Sequence, residues 1–183
     1  AWLLAKSQTR GPPVLVLVPT LHLLSQTYAD FKRESLAEEC EDDYGFILFG
    51  SAAAVRGVTV TTNAADITRE LREQGNEGKT TIIISTYKSA AQLYPLHLHY
   101  SLIVYDEAHV TTGHVCKQAA QTVDEEKLPS DSKVFMTATP RICVGHEEGA
   151  IEVCSMDDEV IYGKTLAQIS SKHLVDVNML CPI

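Results

Sequence analysis

The chain is 183 residues long, 45% hydrophobic and 21% charged, which fits one globular domain with a substantial core and excludes disorder as its overall state. Fifteen Lys and Arg stand against 24 Asp and Glu, a net charge of −9, so the global field repels a phosphate backbone and any nucleic-acid contact must be local. No apolar run approaches the ~20 residues of a membrane span, and "AWLLAK" lacks the basic start and length of a signal peptide, so the chain reads as soluble and no membrane partner is expected.

The first apolar run is Val14 to Val18. Thr20 can then cap a helix whose Leu21, Leu24, Tyr28 and Phe31 fall on one face at spacings of three and four. The acidic "EECEDDY" at 38 to 44 reads as a solvated helix end or loop and not as a calcium site. A second run, Phe46 to Phe49, and a short strand in "VTVTTN" follow; Asn63, with Asp66 three residues on, resembles a capping box for the helix "AADITRELREQ".

Gly78-Lys79-Thr80 matches the end of a phosphate-binding P-loop, but Glu73 stands where that loop needs its first glycine, and the segment leads into the β-branched run Thr81 to Ser85 instead of a helix. It therefore reads as a turn entering a strand, with Lys79 near the surface. The remaining runs are Leu102 to Tyr105 and Val134 to Met136. None of the five alternates like a half-wet sheet, and helical patterns separate most of them. That predicts right-handed βαβ crossovers and a doubly wound, mostly parallel α/β sheet with helices on both faces.

Ligands of such sheets bind beyond the carboxyl ends of the strands. There "SLIVYDEAH" places Asp106 and Glu107, a pair that fits a Mg²⁺-holding carboxylate beside a nucleotide and a neighbour that deprotonates an attacking water. Other strands lead into "VPTLHLLSQ", "STYKSA" and "FMTATPR", with hydroxyls and helix N-termini that can bind phosphate without net positive charge. Each alone is an ordinary cap or polar turn; together at one sheet edge they make a coherent site. The five cysteines are odd in number and show no CxxC spacing, which points to a reducing compartment, cytosol or nucleus. His114 and Cys116, with Cys143 and His146, could converge on zinc, but the first pair is too tightly spaced for the usual finger geometry, so no zinc is expected.

These residues resemble the motifs of a superfamily-two helicase in its first RecA-like lobe: "PTLHLLSQ" at 19 to 26, "STYKS" at 85 to 89, "DEAH" at 106 to 109 and "TAT" at 137 to 139, in the family's order. The similarity is closest to the DEAD/DEAH group related to the motor of type III restriction enzymes, and it covers almost the whole chain. It implies a RecA-like P-loop NTPase lobe over 1–145, with 146–183 closing that lobe and starting the link to a second one. It implies ATP and Mg²⁺ as cofactors, with Asp106 on the metal, Glu107 on the hydrolytic water, and His109 bonded toward Thr137 or Thr139 around Ala138 to couple nucleotide state to the nucleic-acid surface. Pro19, Thr20, Gln26, Ser85, Thr86 and Tyr87 match the nucleic-acid track, although simple packing is an equal reading for Tyr87. The restriction-motor likeness favours DNA over RNA.

The chain departs from the family in two places. The family's "GxGKT" loop should precede the strand at Val14, and its place falls upstream of Ala1, as the arginine fingers of a second lobe fall beyond the chain; alone, these residues are expected to be inactive. At Val110 the family tends to carry Arg or Lys. The alternative is a degenerate lobe that binds nucleic acid or protein without hydrolysis.

Overall fold

The structure, a computed structural model, describes residues 11–51, 55, 57–114, 117–143 and 153–169. The expected helix end in "AWLLAKSQTR", and Cys116, His146 and Cys181, lie outside the described residues.

The backbone alternates strands and helices: β1 (Val14–Val18), α1 (Leu21–Ala37), β2 (Tyr44–Phe49), β3 (Thr59–Thr61), α2 (Ala64–Asn76), β4 (Thr80–Thr86), the short α3 (Tyr87–Ala90), β5 (Leu102–Tyr105), β6 (Gly113–His114), β7 (Lys133–Phe135), β8 (Val153–Cys154) and α4 (Glu159–Tyr162). Six strands form one parallel sheet in the order β3-β2-β4-β1-β5-β7, while β6 and β8 pair antiparallel beside it. The expected doubly wound α/β fold is the observed one.

The missing alternation has a direct cause. Successive side chains of a strand point to opposite faces, and here both faces are covered. Leu15, Leu17, Ile47, Phe49, Ile83, Ile103 and Tyr105 pack with Ile67 of α2 and with Ala90 and Leu93; Val14, Val16, Val18, Leu48, Ile82, Ile84 and Val104 pack with Leu24 and Tyr28 of α1. Burying one such aliphatic side chain contributes roughly 1.5–3 kcal/mol, so apolar residues serve at odd and even positions alike.

Local chemistry sets the ends. Thr20 caps α1, its Oγ1 accepting from Leu23 N at 3.2 Å. Gly78, at φ +78°, makes the turn into β4, and Lys79 pairs with Glu77 at 2.8 Å, as a surface turn and not a phosphate loop. Two expectations change. Asn63 does cap α2, accepting from Ala65 N at 3.0 Å, but the capping box does not form: Asp66 accepts from the Thr61 hydroxyl at 2.7 Å, and that same oxygen receives the Asn63 N–H at 2.9 Å. The Thr61 hydroxyl, and not the Asp66 carboxylate, takes the Asn63 N–H. Leu21 is 39% exposed, because the buried stripe of α1 begins a turn later at Leu24.

Candidate functional site

Register brings the strand ends together. Val18 pairs with Thr86, Leu17 with Tyr105, and Tyr105 with Phe135. Pro19 and Thr20, Thr86 and Tyr87, Asp106 and Glu107, and Thr137 to Thr139 therefore leave four neighbouring strands at the same edge.

Asp106 is fixed through its backbone: its N–H donates to Leu17 O at 2.9 Å, and its carbonyl accepts the Tyr87 hydroxyl at 2.7 Å. Its carboxyl is pushed above the usual carboxylate range, chiefly by burial and further by the Glu107 charge, with the Glu107 N–H bonded to it working the other way. No cationic side chain pairs with it among the described residues. A half-buried, uncompensated acid beside a second acid has the chemistry to contribute oxygen ligands to a divalent cation.

Glu107 adopts φ +51°, ψ +48°, the left-handed region that disfavours side chains with a Cβ. The bend starts a short 3₁₀ turn, Ala108–Thr111, and brings Glu107 Oε2 to 3.2 Å from His109 Nδ1. The same nitrogen lies 3.0 Å from Thr137 Oγ1 and 3.3 Å from Thr139 Oγ1, and Thr139 N donates to Thr137 Oγ1 at 3.1 Å. The expected contact of His109 with the "TAT" hydroxyls is present, and Ala138 is the exposed residue between them. One ring nitrogen with three oxygen neighbours can donate one hydrogen or accept one. It is a junction that must choose.

The expected nucleic-acid set divides. Thr20 and Gln26 are exposed and Pro19 is half-buried, but Gln26 sits on the solvent face of α1, turned away from the buried Leu24 and Tyr28 and more than a turn from the sheet edge. Ser85, Thr86 and Tyr87 are buried, at 0%, 5% and 4% exposure. Ser85 Oγ donates to Thr86 O, Thr86 Oγ1 accepts from Ser89 N as the cap of α3, and the Tyr87 hydroxyl is given to Asp106 O. The side chains of Ser85 and Thr86 at the end of β4, and of Tyr87 at the start of α3, are thus taken up in packing and positioning, the reading weighed equally for Tyr87. Val110, where the resemblance led one to expect Arg or Lys, packs against the core.

Two residues were not singled out from the sequence. Lys88 is exposed directly after Tyr87. Gly50 ends β2 where a Cβ would come within 3.2 Å of Leu21 Cδ2, so the end of β2 fits closely against the start of α1; a glycine after an apolar run was the available signal.

Residues 1–142 match the family model of the type III restriction enzyme, res subunit. Among solved structures the chain is similar to a nuclease-deletion mutant of the Type ISP restriction-modification enzyme LlaGI in complex with a DNA substrate mimic, with a TM-score of 0.72 and 25% identity over 92% of this chain. The chain spans 14% of that enzyme's length. No curated protein matches the chain closely enough to count as a relative.

Proposed function

Because the chain belongs to the family of the type III restriction enzyme res subunit, we propose that it is the ATP-hydrolysing lobe of a DNA helicase or translocase. The observation that carries this reading is the convergence of Asp106, Glu107, His109, Thr137 and Thr139 on one sheet edge, with His109 Nδ1 between the acid and the two hydroxyls. Its support for DNA over RNA is the likeness to LlaGI, whose structure holds a DNA substrate mimic.

In this reading Asp106 would hold Mg²⁺, which when bound would supply positive charge against the phosphates. The resemblance expects the phosphate cradle from a "GxGKT" loop preceding β1. Glu107 takes the proton of the attacking water. While its carboxylate rests on His109 it is held away from that task; turning outward, it frees Nδ1 for Thr137 or Thr139, so the state of the acid is passed to the turn after β7. Thr20, at the N-terminus of α1, offers phosphates a hydroxyl and the first helical amides, which have no partner within the helix. Exposed Lys88 adds a local positive charge to the acidic chain.

The test is Mg²⁺-dependent ATP hydrolysis by the full-length protein with and without duplex DNA. DNA-stimulated turnover that disappears in Glu107→Gln supports the proposal. Unchanged turnover in that variant removes Glu107 from the mechanism, and DNA binding with no hydrolysis in the wild type makes the lobe a binding module.

A further inference from the structure

Tyr162 and Thr111 are 51 residues apart in the chain, yet their hydroxyl oxygens are 2.9 Å apart. Thr111 is fully buried and its own hydroxyl hydrogen goes to the Ala108 carbonyl at 2.7 Å. A hydroxyl has one hydrogen to give. The direction of the pair is therefore fixed: Tyr162 donates to Thr111, and Thr111 donates to Ala108.

The clasp is braced on both sides. Asp158 caps α4 by accepting from Val160 N at 2.9 Å, and its carbonyl accepts the Tyr162 N–H at 2.9 Å. The Tyr162 ring meets Phe135 edge-on at 4.9 Å, and Phe135 stacks on Tyr105 at 4.4 Å, so the hydroxyl is delivered from a rigid aromatic row. Burial pushes the Tyr162 hydroxyl up to about 12, which keeps it a donor at neutral pH.

The carbonyl at the end of this relay belongs to the peptide that joins Ala108 to His109. Its plane sets where the His109 ring points, and Glu107 on its other side is in a backbone conformation that needs to be held. We propose that Tyr162 is a positioning residue for the Asp106–His109 turn, acting through Thr111 on the Ala108–His109 peptide, so that α4 holds Glu107 and His109 in working geometry. This rests on the reading of that turn as the hydrolytic site.

The experiment compares Tyr162→Phe, which keeps the ring on Phe135 and loses only the hydroxyl, with Thr111→Val and the double variant in the full-length protein. Amide hydrogen exchange over residues 106–112 should accelerate about tenfold in each, with β1 and β4 unaffected. DNA-stimulated hydrolysis should lose about threefold to tenfold in kcat with KM for ATP within about twofold, and the double variant should lose no more than either single one. Unchanged exchange at the turn, faster exchange across the whole sheet, additive losses, or an unchanged kcat would each overturn the proposal. If exchange at the turn accelerates but the wild type hydrolyses no ATP, the positioning by Tyr162 stands and the hydrolytic reading of the site falls.

Discussion

His109 Nδ1 lies 3.0 Å from Thr137 Oγ1, joining the turn after β5 to the turn after β7 across 28 residues of sequence. If this bond passes the state of Glu107 to the nucleic-acid surface, Thr137→Val should weaken coupling more than chemistry. Basal ATP hydrolysis is expected to stay within about threefold while DNA stimulation falls about tenfold, the scale of one lost hydrogen bond. Turnover measured with and without DNA decides it; equal losses in both would place Thr137 in the chemical step.

Asp106 carries a stability cost that depends on pH. Its folded pKa is raised, mainly by burial, so the native state favours the protonated acid: stability is fullest below the unfolded value and is lost as pH rises through the folded one. Asp106→Asn should therefore raise the melting midpoint at pH 7 by about 1–2 °C, a figure discounted for solvent screening at a half-exposed site. The gain should vanish as pH falls below the unfolded value of about 3.9. Melting curves across that range test the sign.

The left-handed backbone of Glu107 makes a second such trade. Glu107→Gly should stabilise the fold by about 1 kcal/mol relative to Glu107→Ala, because glycine alone enters φ +51° without a Cβ penalty. Both variants should lose hydrolysis by about a hundredfold or more, as expected for removal of a general base. Denaturant midpoints that coincide for the two variants would mean that the turn relaxes once the acid is gone.

Tyr87 separates packing from recognition. Tyr87→Phe removes the hydroxyl given to Asp106 O and should lower stability by about 1 kcal/mol. DNA affinity should not change, since the ring is buried. A loss of affinity without a loss of stability would restore Tyr87 to the nucleic-acid track.

How much of this could be read from the chain differs by feature. The runs Val14–Val18 and Leu102–Tyr105 are strands to the residue, because doubly buried parallel strands need apolar side chains on both faces and nothing else competes for those segments. The meeting of the acids at the end of β5 with the hydroxyls beyond β7 was legible because a parallel sheet gathers its carboxyl ends. The inward burial of Ser85, Thr86 and Tyr87 was not, since a motif states which residues occur and not which side of the strand they take. The left-handed Glu107 leaves no trace in residue type, and the Tyr162–Thr111 contact joins segments that no local period connects. A cap-forming Asp before the aromatic in "DDEVIYG" was the faint signal that this tail docks.

The central place of β1 also governs how the fold can be reached. Val14 pairs with Ile82 on one side and Leu102 on the other, so β1 finds these strand partners only after the later segments that form β4 and β5 have been made. Until then its backbone groups lack their β4 and β5 partners, and Leu24 and Tyr28 of α1 can cover only the Val14, Val16 and Val18 face. Closing loops of that length before any pairing is gained makes for slow, non-local folding. The chain thus passes through a prolonged state with β1 incompletely paired, and its yield during synthesis should depend on how well that strand is shielded from other chains.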